Sequence, residues 1–212
     1  MLRSQRPGPP KARQARCAEN IVTSGEHLLS LVNDVLDLAK AEASKLEVRL
    51  CQTSVADTFL SVITMLAARA QDRGLVLRSE LPNPALRVVA APLRLRQVLL
   101  NLVTNGIMFA PEGEVVLRSE TSAELAGCIA DLGLPPSAVV LSVCDTGVGI
   151  KRGDVSRVFG QFELTDNPLT RSQEGTALGL ALSKHLTELM GGRIRIESEF
   201  RKGTTFYVVL PG

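Results

Sequence analysis

Tryptophan is absent, tyrosine occurs once, at Tyr207, and aromatic residues make up only 3% of the 212-residue chain. Base stacking on aromatic side chains, the usual device for holding single-stranded nucleic acid, has little material here, so nucleic acid is excluded as the main partner. No apolar run approaches the roughly 18 residues of a membrane helix, and Met1 is not followed by a charged and then apolar leader. No membrane segment or export signal is therefore expected, and the expected location is cytoplasmic. Its four cysteines, Cys17, Cys51, Cys128 and Cys144, are far apart and form no Cys-x-x-Cys pair. A zinc site or a disulfide framework is thus disfavoured, and reduced thiols are expected. No Gly-x-x-x-x-Gly-Lys-Ser/Thr segment occurs, which excludes a P-loop.

What is present is a globular balance, 45% hydrophobic and 22% charged, in a length that suits one or two domains. The net charge of +2 is unevenly spread. Residues 1–16 hold Arg3, Arg6, Lys11, Arg13 and Arg16 and no acid, while the remaining 19 basic and 22 acidic residues leave the rest near −3. With Pro7, Pro9 and Pro10 in the same stretch, residues 1–16 are expected to be a disordered basic tail.

From Ala18 to Leu46 apolar residues recur at three- and four-residue steps, which predicts one long amphipathic helix. Ile21, Leu28 and Val35 keep a seven-residue step, the pattern of a helix that packs along another helix. Beyond it, strands are expected at Leu46–Cys51, Leu75–Leu77, Leu86–Val89, Val115–Ser119, Val139–Cys144, Arg193–Ser198 and Thr204–Leu210. Helices are expected at Val55–Gln71, Pro92–Phe109, near Val155–Phe159, and at Leu178–Met190. Pro92 sits where a helix start loses nothing by lacking an N–H. The segment Thr121–Ala138, with Gly127, Gly133, Pro135 and Pro136, reads as a surface insertion. The alternation predicts an α/β two-layer sandwich with a mixed sheet, preceded by the long helix.

Three short stretches carry chemistry. An apolar strand ends in Asp145-Thr146-Gly147-Val148-Gly149-Ile150. A buried carboxylate at such a strand end accepts a hydrogen bond from an exocyclic amine, as adenine offers, and repels the carbonyl that guanine presents there. Gly147 and Gly149 let the backbone come close to a flat base. Gly175-Thr176-Ala177-Leu178-Gly179-Leu180 opens a helix with small residues, and the free amides and dipole of a helix start suit phosphate. Asn101-Leu102-Val103-Thr104-Asn105 places two amides four apart on one helix face, where an Asn carbonyl is a fitting ligand for Mg²⁺.

In this order and spacing the motifs resemble the catalytic, ATP-binding domain of sensor histidine kinases, a member of the ATPase superfamily that also holds Hsp90, gyrase B and MutL. The resemblance covers roughly residues 18–212. Leu95–Asn105 is similar to that family's N box, Asp145–Ile150 to its first glycine box, Val158–Phe162 to its F box, Gly175–Leu180 to its second glycine box, and Met190–Phe206 to its closing strands. It implies a Bergerat-type fold with residues 46–212 as the catalytic domain and 17–45 as the second helix of a dimerisation and phosphoacceptor hairpin. It also implies that ATP meets Asn105, Asp145, Gly147, Gly149, Arg171, Gly175, Thr176, Leu178, Gly179 and Thr205, with Mg²⁺ on Asn105. Residues 160–175 would form a phosphate lid carrying Arg171, and Thr205 would close the adenine pocket through a water. Implied partners are a phosphoacceptor hairpin, the receiver domain of a response regulator and, in a full-length protein, a second copy.

The pattern also fails in places. Relatives carry the acceptor histidine in a His-Glu-x-Arg-x-Pro segment, and this sequence has only His27 and His185, neither in such a context. No catalytic residue is therefore assigned, and self-phosphorylation by the family route is not expected. Met108 replaces a usual base, Ala91 a usual Asp, and Ala177 a lid glycine. In relatives that hydrolyse ATP a Glu stands at the position of Asn101, and an amide has no basicity to serve in its place. Transfer of the γ-phosphoryl to a histidine, in two-component signalling, is the reading favoured. A non-catalytic module acting by contact, and an Hsp90-like ATPase, are the alternatives.

Overall fold

The computed structural model describes residues 48–121, 137–159 and 177–212, together with Ile21, Gly25, Val32 and Leu36, which are helical and exposed. Those four positions fall inside the expected leading helix. Leu28, Val35, the basic tail and most of the 121–138 insertion lie outside the described residues.

The described elements are β1 (Cys51–Ser54), α1 (Val55–Asp72), β2 (Val76–Glu80), β3 (Arg87–Ala90), α2 (Pro92–Phe109), β4 (Glu114–Thr121), β5 (Ala138–Asp145), α3 (Ala177–Leu189), β6 (Arg193–Glu199) and β7 (Gly203–Pro211). The expected strand at Leu46–Cys51 is displaced: residues 48–50 are irregular and pairing begins at Cys51, which is opposite Ala90. The helix expected near Val155–Phe159 is a single 3₁₀ turn, Val155–Arg157.

A five-stranded sheet has the order β2-β4-β5-β7-β6, and β1 pairs with β3 in a separate ribbon. The pair β2–β4 is parallel and the other neighbours are antiparallel, so the sheet is mixed as expected. The chain goes from β2 to β4 by way of β3 and α2, the long crossover that a parallel pair requires. All three helices lie on one face of this sheet.

Strand parity then sorts the residues. Val115 and Leu117 of β4, Val139, Leu141 and Val143 of β5, and Phe206, Val208 and Leu210 of β7 face the helices and form the core with Phe59, Leu95, Leu99, Leu102, Ile107 and Leu186. Opposite parity puts Ala138, Val140, Tyr207 and Val209 in a small apolar cluster on the other face. The same outer parity carries Arg78, Glu80, Glu114 and Arg118. There Arg78 pairs with Glu114 at 2.8 Å and with Glu80, and Arg118 pairs with Glu80 at 2.6 Å. These groups are about 40% exposed, so the ladder adds little stability and keeps that face wet.

The helix ends are set by local chemistry. Ser54 caps α1, its hydroxyl accepting from the Asp57 amide at 3.2 Å. Ala91 holds the N-cap position of α2 without a side-chain cap, so the departure from Asp acts on a helix start. At the other end of α2 the Arg73 guanidinium donates to the Ile107 and Met108 carbonyls at 3.2 and 3.1 Å. A cation thus serves the helix terminus beside Met108.

Leu102 is fully buried at the middle of α2, between the flanking helices and the sheet. Leu102→Ala should lower the unfolding free energy by about 2–5 kcal/mol. Urea denaturation followed by circular dichroism measures this.

Candidate functional site

The carboxylate of Asp145 ends β5 at only 6% exposure. Its Oδ1 accepts from the Gly147 amide at 2.8 Å, closing a tight turn. Burial raises its pKa from 3.8 to about 6, while the Gly147 and Thr204 amides pull the other way. The shift marks a charge that the fold holds ready but solvates poorly, a frequent sign of a ligand site.

Small residues surround this group because little else fits. A methyl on Gly106 of α2 would lie 3.3 Å from Cβ of Asp145 and 3.2 Å from Val115, so this glycine sets how closely α2 approaches the strand end. A methyl on Gly147 would fall 2.7 Å from both Asp145 Oδ1 and the Phe109 carbonyl oxygen. Val148 donates its amide to that carbonyl at 3.1 Å, which ties the turn to the end of α2. Gly149 has φ +63° and sits against the Glu199 carbonyl, a left-handed position that favours glycine. Thr146 fastens the other side: its hydroxyl accepts from the Glu114 amide and contacts the Glu112 carbonyl, each at 3.0 Å.

The β6–β7 hairpin completes the floor. Thr204 is the register partner of Asp145, and Ser198 is the partner of Thr204. The Ser198 hydroxyl accepts from the Ile150 amide at 2.8 Å and lies 2.9 Å from the Thr204 hydroxyl. The Arg201 amide reaches the Val148 carbonyl at 2.7 Å. The glycine turn is therefore docked on the hairpin along its length.

Strand parity corrects one expected residue. Thr205 pairs with Cys144 and Glu197 and shares the outer face with Tyr207 and Val209, whereas Thr204 shares the face of Asp145. Two adjacent threonines gave no sign of which points inward, although counting back two residues from the core position Phe206 would have found it.

The two amides of α2 stand apart in role. Asn105 is 9% exposed and immediately precedes Gly106. Asn101 donates from Nδ2 to the buried Ser183 hydroxyl on α3 at 2.8 Å, and its Oδ1 would lie 2.4 Å from a methyl on Gly179. Gly179 thus meets the Asn101 side chain. Ala177 lies within α3 and has helical backbone, so the left-handed cost that a lid glycine would imply does not arise there. Phe159 packs edge-on against Phe206 with ring centres 6.3 Å apart, joining the F-box turn to the core. Arg171, Gly175, Thr176 and the expected lid lie outside the described residues, as does His27. Of Leu178 only its place in α3 is described. Sequence reading missed Gly106, Thr146, Ser183, Ser198 and Thr204, and of these only Gly106, a glycine inside an apolar helix, and Thr204, two residues before Phe206, carried a local signal.

A mixed sheet under three helices, with a buried strand-end carboxylate and a glycine turn beneath a helix bearing two amides, defines a nucleotide-binding type of site. Residues 90–212 match the family described as histidine kinase-, DNA gyrase B-, and HSP90-like ATPase. The circadian input-output histidine kinase CikA of Synechococcus elongatus is 37% identical over 96% of this chain and 26% of its own length. The sensor histidine kinase GacS of Pseudomonas protegens is 36% identical over 93% of this chain and 21% of its own. The crystal structure of full-length ShkA in complex with AMPPNP superposes with a TM-score of 0.76 at 30% identity, covering 96% of this chain and 40% of that one. The chain belongs to this ATPase family, as an ATP-binding catalytic domain of the histidine-kinase type. It spans about a quarter of the curated relatives' length.

A carboxylate whose pKa is raised on folding binds its proton more tightly in the native state. Its burial is without penalty below the unfolded value of 3.8 and destabilises as pH rises through about 6. Asp145→Asn removes this dependence. The variant should gain about 2–3 kcal/mol on the parent between pH 4 and pH 7.5. Denaturant titrations of both proteins at a series of pH values test the sign.

Proposed function

We propose that this domain binds Mg-ATP at the Asp145 site and transfers the γ-phosphoryl group to a histidine on a phosphoacceptor hairpin, for relay to a receiver domain. The observation that carries the reading is the Asp145 carboxylate: buried, aligned by the Gly147 amide, and set at a strand end in a turn whose glycines let the backbone pack closely around it. Asp145 receives the adenine amino group. Gly147 and Gly149 shape the turn beside the base, and the start of α3 at Ala177–Gly179 offers the amides of a helix N-terminus to the phosphates. Arg171, Gly175, Thr176 and Leu178 are assigned to the same nucleotide by the family resemblance, and Thr204 takes the place first expected of Thr205.

The residues fit a divalent cation of a particular kind. Among the described residues no group of three His, Cys, Asp or Glu side chains could hold a metal alone. The buried Asn105 amide supplies one neutral oxygen, which suits an ion that arrives already bound to phosphates. Mg²⁺, when bound, neutralises charge on the phosphate oxygens during transfer. Asn101 is engaged by Ser183 and has no basicity, which favours transfer to an amino-acid acceptor over hydrolysis. The helix that precedes the sheet, with Ile21, Val32 and Leu36 exposed, supplies an apolar surface for a hairpin partner and a second copy.

Calorimetric titration with a slowly hydrolysed ATP analogue tests the reading. Binding should be strengthened by Mg²⁺ and weaken as the pH is lowered through about 6, where Asp145 takes up a proton. In Asp145→Asn the oxygen stays on the Gly147 amide and the new NH₂ meets the ligand's amine donor to donor. Affinity should fall about 10–100-fold. Asn105→Ala should abolish the benefit of Mg²⁺ while leaving metal-free binding in place. A folded chain that binds nothing at millimolar analogue would instead mark a module that signals by contact.

A further inference from the structure

The hydroxyl of Ser198 makes three contacts: it accepts from the Ile150 amide at 2.8 Å, and the Gly203 carbonyl, which can only accept, lies 3.0 Å away. One lone pair remains, and the Thr204 hydroxyl lies 2.9 Å from it. A hydroxyl has one proton and two lone pairs. With the Ser198 proton on Gly203, the proton of the Ser198–Thr204 contact has to come from Thr204. Thr204 then keeps both of its own lone pairs, on the sheet face it shares with Asp145, its register partner.

We infer that Ser198 is a selectivity-determining positioning residue: by drawing the Thr204 proton away from the site, it makes the floor beside Asp145 accept hydrogen bonds and not donate them. An amino group placed between Asp145 and Thr204 meets acceptors on both sides. An oxygen at the same position meets only lone pairs and is rejected twice. Without Ser198 the Thr204 proton is free to turn toward the ligand, and the second rejection becomes an attraction. The inference rests on the nucleotide reading above and adds to it a residue that never touches the nucleotide. The same Ser198 holds Ile150 and so the glycine turn, a scaffolding role that would affect every nucleotide alike.

The two roles separate in a comparison of ligands. The 212-residue chain is titrated with a slowly hydrolysed ATP analogue and with its 6-methoxypurine counterpart, which carries an acceptor oxygen in place of the amino group and keeps the neighbouring ring nitrogen unprotonated. The parent should prefer the amino form. Ser198→Ala should narrow that preference about fivefold, chiefly through better binding of the oxygen-bearing form. Ser198→Thr, which keeps the hydroxyl, should restore it. Thr204→Val removes the acceptor itself and should narrow the preference as well, with Ser198→Ala adding nothing further in the double variant. If Ser198→Ala fails to fold, Thr204→Val alone reads the same floor.

Equal weakening of both nucleotides in Ser198→Ala, or an unchanged ratio in Thr204→Val, would overturn the assignment and leave Ser198 as scaffolding. In that case the parent's own preference for the amino form would still stand. A parent that binds neither analogue would overturn the nucleotide reading and this inference with it.

Discussion

A carboxylate placed at the end of a core strand and kept from water is the constraint to which the rest of this site answers. Taking an ionised group out of water is costly unless donors replace the lost hydration. Here the donors identified are two backbone amides, from Gly147 and Thr204, and they offset the penalty only in part, since the pKa stays near 6. Both amides must therefore be held accurately. That requirement explains why the turn after β5 is tied down at so many points: to β4 through Thr146, to the end of α2 through the Phe109 carbonyl, and to the β6–β7 hairpin through Ser198 and Arg201. The glycines follow from the same need. At Gly147 and Gly203 neighbouring atoms already occupy the space of a side chain, at Gly106 they leave it only a tight fit, and Gly203 lies directly against the Asp145 carbonyl.

The helix α2 connects this site to the core. Its apolar face, including Leu95, Leu99 and Leu102, is fully buried against the sheet and the other helices, which fixes its axis. Its remaining face presents Asn101 and Asn105 one turn apart. Packing energy spent on leucines thus determines where two amides stand. A core substitution well away from Asp145 is expected to act on the site through this axis.

Much of this was legible in the sequence because several independent signals coincided. Pro92 marks the start of α2, the 3.6-residue pattern runs to Phe109, and the run Val139–Cys144 ends in a carboxylate followed by glycines. Each is a local feature with a local cause. Thr205 was misread because face assignment in β7 depends on register, and a strand that is apolar on both faces hides its parity. The first strand was placed early because Leu46–Cys51 alternates on its own, while β3 offers pairing only from Cys51 onward. Ser198 and Ser183 were invisible for a further reason. A serine in an alternating strand or an amphipathic helix looks like any other polar residue, and its importance lies in contacts 48 and 82 positions away in sequence.

The Asn101–Ser183 contact bears most directly on the choice between hydrolysis and transfer. A general base must keep a lone pair of sufficient basicity free to reach a water. Asn101 has neither the basicity nor the freedom: its NH₂ is held by a buried hydroxyl, and its oxygen lies against the first turn of α3 at Gly179. The side chain works instead as a strut that sets the spacing between α2 and the helix start that would face phosphate. A site of this construction favours reactions in which positioning and charge neutralisation carry the barrier and the acceptor brings its own nucleophile. A neutral imidazole is such an acceptor, since its lone pair attacks without prior loss of a proton. Replacing the base by a strut is therefore consistent with phosphoryl transfer to histidine, and it leaves selection of the acceptor to the partner that presents it.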